Sequence, residues 1–352
     1  PTALDQSIIS FERLNRRALA RNNTARYEQI ALMVAATQEL KASQLRHLLQ
    51  RLDHPSVPNL PALIDKDLKN RDAQPFGSYN VHRLMLLEQL EELAELRPKI
   101  RNQDNYVNIY LSKLLPNNDV VWLLDRDEHV AYLERLWAFV SGLEPSHNSL
   151  KANVLYRRLV LDRTMGVYNK DRFIEYLKLP RQMWYVRDTL MKSVRTSRHI
   201  ANLGADYYSQ TRLRPVRDDE PLVRDYLHHF LVDAQNYDEF SKWISDNYLK
   251  ERFAEAKITA GLGDSEQWAS LLSPAKFQEL MKRVDLEFAH TNPFTFGVDD
   301  KVEIKLTTKN IKNLIVKVFE INTANFYRKH AGEIDTDINL DGLVPNWQRT
   351  FD

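Results

Sequence analysis

The hydrophobic period of this chain changes near residue 290, and that change decides what the chain can fold into. From about Leu4 to Phe288 apolar residues recur every three or four positions, the spacing that lays a stripe along a helix. Beyond that point Phe294-Thr295-Phe296, Val302-Glu303-Ile304-Lys305-Leu306 and the run from Leu314 to Ile321 read as strands. The expected fold is mainly α: an irregular helical bundle or degenerate α-solenoid, followed by the start of an antiparallel β-sandwich. At about 60 residues the β part is short for a sandwich of roughly 100, so it reads as the opening of a longer domain.

Composition narrows the chemistry. Only 9 glycines occur in 352 residues, whereas nucleotide-binding α/β folds use several at their turns. Neither a GxGxxG nor a GxxxxGK[ST] motif is present. With no cysteine, disulfides, thiolate metal sites and cysteine nucleophiles are excluded. No apolar run reaches the length of a membrane span, and no secretory core segment is visible.

The strongest linker in the first half is His54-Pro55-Ser56-Val57-Pro58-Asn59-Leu60-Pro61, because three prolines remove backbone donors and push their predecessors out of the helical region. The expected domain plan is an N-terminal helical hairpin over 1–53, a main helical domain over 62–289 and a partial β-sandwich over 290–352. Within the main domain the periodicity predicts helices over Asn80 to Leu96, Val186 to Asn202 and Pro274 to Phe288, among others. Ser273-Pro274 is a clean start, a capping serine before a proline at the first helical position. No anchor pattern repeats at 33 to 45 residues, which argues against a regular repeat array.

The formal net charge is only +1, yet it is unevenly distributed. Residues 151–217 hold 15 Lys/Arg against 5 Asp/Glu, and residues 218–300 hold 8 against 17. Either the two stretches face each other, or the basic one faces an anionic partner. In the second reading Arg181, Arg187, Lys192, Arg195, Arg198, Arg212 and Arg214 grip phosphates while the interleaved Trp184, Tyr185, Tyr207 and Tyr208 stack on bases. In the first, Trp184, Val186, Leu190 and Val194 belong to the core and the arginines extend outward or pair with the acidic stretch.

Two further constellations carry possible chemistry. Asp337, Asn339, Asp341 and Gly342 match the front half of a calcium loop. The back half fails, with Pro345 and Gln348 where ligands belong, so the choice lies between a low-affinity calcium site and a polar strand face ending in an Asp-Gly turn. Asp225, His229 and Asp233 share a helix face by four-residue steps, as do Asp125 and His129, a spacing that suits a surface ladder, a buried histidine or a metal. No cofactor is otherwise implied, and no catalytic residue can be assigned.

The stretch Leu314-Ile315-Val316-Lys317-Val318-Phe319-Glu320-Ile321-Asn322-Thr323, continuing through Phe326-Tyr327-Arg328 to Asp335–Gly342, resembles segments of large multidomain proteins with macroglobulin-like β-sandwich domains. The resemblance implies a building block of a long extended protein engaged in protein contacts, and it carries over no functional residue. The expected function is accordingly a non-enzymatic protein-interaction or scaffold module, its partner another protein or neighbouring domains of the same polypeptide. Two alternatives stand beside it: nucleic-acid or other polyanion binding through 181–217, and an all-α enzyme whose site is assembled from scattered residues.

Overall fold

The computed structural model describes residues 40–351 except 58, 118, 120, 294, 331–339 and 341. Two compact units emerge, one from residues up to 162 together with 167–253, the other from 163–166 together with 254 onward. Fifteen α-helices and four short strands lie among the described residues, so the fold is mainly α with small antiparallel sheets at the C-terminal end.

In the first unit the three-to-four-residue spacing becomes burial. Helix Ala42–Arg51 buries Leu45, Leu48 and Leu49, and helix Leu60–Leu68 buries Leu60 and Ile64 after an entry through Asn59 in the left-handed region (φ 57°). The single helix expected over Asn80 to Leu96 is two, Asn80–Leu84 and Leu87–Leu96. The chain turns at Met85 (φ −48°, ψ 142°), which keeps Met85 and Leu90 inside while leaving Leu86 outside. Gln89 then accepts the Leu86 N–H at 3.0 Å and donates to the Pro55 carbonyl at 2.9 Å, tying the proline linker to this helix.

Helix Asp104–Leu114 buries six side chains, with the Tyr106 hydroxyl donating to the Leu90 carbonyl at 2.8 Å and Tyr110 stacked on Phe139 at 3.9 Å. Asp125 caps helix Arg126–Val140 by accepting from the Asp127 and Glu128 N–H groups, both at 3.0 Å. Helices Lys170–Lys178 and Glu220–Asp233 bring Phe173 against Tyr226 at 5.0 Å.

The helix expected over Val186 to Asn202 is only the short Asp188–Lys192 and a 3₁₀ turn, Ser197–His199. Ser193 Oγ bonds back to the Leu190 carbonyl at 2.7 Å, the kind of local competition by which serine stops a helix. The chain then returns so that the Ala201 N–H donates to the Pro180 carbonyl at 2.7 Å.

What anchors this irregular stretch is a buried ion pair. Arg181 is 1% exposed, and its Nε donates to Asp219 Oδ2 at 2.7 Å. The Tyr176 and Tyr185 hydroxyls donate to the two oxygens of the same carboxylate, both at 2.6 Å. Arg181 Nη1 reaches the Tyr176 and Leu179 carbonyls at 3.2 and 3.0 Å, and its guanidinium lies 4.5 Å over the Tyr176 ring. Burial raises both tyrosines well above their ordinary range, so they remain neutral donors. Asp219 stands at the start of Glu220–Asp233, yet its carboxylate makes no capping bond because it faces inward.

In the second unit the helix expected to reach Phe288 stops at Lys282, and Asp285–Phe288 is a strand, β1. It pairs antiparallel with β2, Leu306–Lys309, from Asp285↔Lys309 to Phe288↔Leu306. Val284, Leu286 and Phe288 already alternate, so the two-residue period begins before residue 290. Asn292 extends this pairing through its side chain, exchanging two 2.8 Å hydrogen bonds with the backbone of Lys305. Strands β3, Leu314–Val318, and β4, Trp347–Phe351, form the other two-stranded sheet, with Leu314↔Phe351 and Val318↔Trp347 at its ends.

Arg181→Met should test the buried pair. Removing one partner leaves the Asp219 charge without compensation, so the unfolding free energy from urea titration should fall by about 3–5 kcal/mol.

Candidate functional site

The segment opened by Arg181 has a split character. Arg181 itself is a core residue, whereas Arg187, Lys192, Arg195, Arg198, Arg212 and Arg214 are all exposed on the irregular backbone between the two halves of the buried pair. Arg187 bonds the Ser241 carbonyl through Nη1, and Arg212 lies 5.9 Å over Tyr208. None of these six forms an ion pair with a carboxylate among the described residues.

The strip is held from beneath by neutral and cationic donors rather than by acids. Asn148 Nδ2 donates to the His199 carbonyl at 2.7 Å, Asn153 Nδ2 to the Arg214 carbonyl at 3.0 Å, and Arg157 Nη2 to the Arg214 and Pro215 carbonyls at 2.7 and 3.0 Å. The Tyr132 hydroxyl donates to the Thr211 carbonyl at 2.6 Å. Side-chain anchoring of loop carbonyls fixes the backbone and leaves the arginine side chains outward. Charge is therefore displayed on an ordered surface. Beyond residue 217, Asp219 pairs with Arg181, and Ser241, Trp243, Ser245 and Tyr248 also touch this segment.

The aromatics do not follow the sequence pattern as a set. Tyr185 is buried, Val186 is buried, and Trp184 is 69% exposed, held edge-on to Tyr248 at 5.0 Å. Trp184 is thus not part of the core as its apolar size suggests. Arg198 lines a polar cleft of about 500 Å³ with Pro75, Phe76, Asn102 to Asn105 and Ser146.

The histidine ladders have structural partners. Tyr168 stacks on His229 at 3.9 Å and its hydroxyl donates to Asp225 at 3.2 Å; burial holds His229 below its ordinary range against the opposing pull of Asp225 and Asp233. Asp125 is occupied as a helix cap, and His129 meets Trp122 edge-on at 4.9 Å. Among the described residues no group of three or more His, Asp or Glu gathers to hold a metal. Asp337, Asn339 and Asp341 lie outside the described residues. Among those residues, too, no helix is long and apolar enough to cross a membrane.

Three features had no counterpart in the sequence reading. Asp67 is buried with Arg46 Nε at 3.9 Å and no hydrogen-bond donor on either oxygen, and burial raises its pKa. His82, fully buried, accepts the Gly77 N–H at 2.9 Å, stacks on Phe76 at 4.7 Å and is pushed down to about 4 by burial. Gly77 is required there: its φ is 94°, and a Cβ would stand 2.9 Å from that of Asn105. The third is an exposed apolar turn at Val121 to Leu124, whose signal is a short apolar run between Asn117 and the capping Asp125.

Residues 8–284 match the family described as the actin-binding protein F N-terminal domain. The chain belongs to that family. Its N-terminal-domain match ends one residue before β1, and residues 314–352 match the AbpF first immunoglobulin-like domain, beginning at the first residue of β3. The expected sandwich is thus an immunoglobulin-like segment. Actin-binding protein F of Dictyostelium discoideum is 31% identical over 318 residues, which cover 89% of this chain and 13% of that protein. No solved structure matches.

His82 makes stability pH-dependent in a stated direction. Its folded pKa lies below the unfolded value, so the unfolded chain binds the extra proton and stability drops as pH falls from about 6.5 towards 4, by roughly 3 kcal/mol in all. Asp67 acts in the opposite sense, since its raised pKa makes the folded state bind protons more readily. Urea titrations of the parent and His82→Gln at several pH values should therefore show a shallower acid loss in the variant.

Proposed function

We propose that this chain is a non-enzymatic interaction domain of a larger multidomain protein, and that the partner it engages is an actin filament. The observation that carries the reading is the strip of exposed cations at Arg187, Lys192, Arg195, Arg198, Arg212 and Arg214, fixed on ordered backbone and unpaired with acids. Such a strip suits a carboxylate-rich protein surface, where complementary charge speeds encounter and sets orientation. Family membership supports the choice of actin, because the Dictyostelium discoideum relative is by name an actin-binding protein.

In this reading the β strands open a spacer domain that sets the helical part apart from its neighbours, immunoglobulin-like by family and macroglobulin-like in the resemblance of its Leu314 to Thr323 run. The division at 1–53, 62–289 and 290–352 belongs to the same proposal. So does a low-affinity calcium site at Asp337, Asn339 and Asp341, for which millimolar calcium should raise the melting temperature of the parent and not of Asp337→Ala.

A polyanion reading shares the same arginines and differs in what lies beside them. Stacking on bases needs open aromatic faces: Tyr185 is buried, whereas Trp184 is exposed beside Tyr248 and Tyr208 is exposed beneath Arg212.

The chain should sediment with actin filaments at low ionic strength and less at 0.3 M salt, where exposed charges are screened. Arg195→Ala with Arg198→Ala should weaken binding several-fold and flatten its salt dependence. Failure to sediment with filaments, joined to salt-sensitive binding of single-stranded oligonucleotides, would move the function to nucleic acid.

A further inference from the structure

The turn before helix Arg126–Val140 is built to hold apolar side chains in water. Val121, Leu123 and Leu124 are 65%, 62% and 85% exposed. The turn is not a frayed end: the Leu124 and Asp125 N–H groups donate to the Val121 carbonyl at 2.8 and 3.2 Å, and Asp125 caps the helix that follows. Trp122 alone faces inward, edge-on to Tyr132 at 5.0 Å. Exposed consecutive apolar residues favour aggregation and add nothing to the folded state of a monomer, so a rigid turn that displays them marks a contact surface.

Tyr132 joins this turn to the basic strip. Its hydroxyl bonds the Thr211 carbonyl, Arg135 lies 5.8 Å over its ring, and Arg212 is near enough for its charge to act on that hydroxyl. Arg157, whose charge is felt at His129, holds the carbonyls of Arg214 and Pro215. Arg135, Arg157, Arg212 and Arg214 form no ion pair with a carboxylate among the described residues, and Asp127 and Glu128 stand in the first turn of the helix that follows the apolar turn. A small apolar centre beside a cationic margin is the anatomy of a protein interface.

We propose that Val121, Leu123 and Leu124 are the apolar anchor of this domain's contact with its filament partner, inserting into an apolar recess on a carboxylate-rich protein surface while Arg135, Arg212 and Arg214 meet the acids around it. This rests on the proposed binding of actin, adding the residues that dominate it. The unpaired arginines of the neighbouring strip favour a carboxylate-rich protein surface as the occupant, and self-association of this chain is an outcome the test separates.

The test is sedimentation of the chain with actin filaments over a salt series, for the parent, for Leu123→Ser with Leu124→Ser, and for Arg212→Ala with Arg214→Ala. The leucines are exposed, so the double variant should keep the parent's melting temperature. Affinity should fall roughly tenfold in the leucine variant with the salt dependence unchanged, and the arginine variant should show a shallower salt dependence. A parent that binds and a leucine variant that binds equally would overturn the anchor and leave the proposed function standing. A parent that does not bind filaments would overturn both, and a concentration-dependent dimer lost in the leucine variant would assign the turn to self-association instead.

Discussion

The pair of Arg181 and Asp219, enclosed by two tyrosine hydroxyls, is the interaction on which the helical unit depends. Thirty-eight positions separate its members, and the chain between them is largely without regular structure, so few of its peptide groups are satisfied by helix. Taking both charges out of water costs several kcal/mol, and the cost is offset only because every oxygen of the carboxylate has a donor. Closing the two ends brings Ala201 to Pro180 and Arg217 to Leu203, and the side chains of Asn148, Asn153 and Arg157 take up carbonyls that would otherwise be orphaned. An irregular segment fixed in this way can hold arginines in a set arrangement that a flexible loop could not.

Sequence periodicity revealed the helical body well, because Leu45, Leu48, Leu49, Leu90 and Leu93 obey a rule that needs only local geometry. It failed where a tertiary partner decides the outcome. Arg181 and Arg195 are the same residue in the same basic stretch; what separates core from surface is an aspartate far along the chain. Trp184 and Tyr185 are neighbours of similar size, and the tyrosine is buried because its hydroxyl has a carboxylate to bond while the tryptophan meets the Tyr185 and Tyr248 rings edge-to-face. The expected helix over Val186 to Asn202 failed for a more local reason, the Ser193 hydroxyl that competes for the Leu190 carbonyl.

The strands were legible as a class and misplaced by a few residues. β1 lies inside the stretch assigned to a helix, since Leu286 and Phe288 fit both a helical stripe and a two-residue alternation over so short a span. Pairing with β2 resolves that ambiguity, as a helix continued to Phe288 would have left Leu306–Lys309 without a partner. The match to the family's N-terminal domain ends at residue 284, which agrees with the backbone and not with the apolar pattern.

The surface makes the same distinction between kinds of function. Sites for small molecules are enclosed and mostly apolar, with a few polar groups fixing orientation. The cleft beside Arg198 is instead lined by Asn102, Gln103, Asp104, Asn105 and Ser146. Exposed apolar side chains gather on the turn at Val121 to Leu124, and charge is found on a strip whose backbone is bonded from below. Exposed apolar groups with cations near them match the composition of a protein interface. That juxtaposition of exposed apolar groups and unpaired cations is the physical basis for proposing a macromolecular partner.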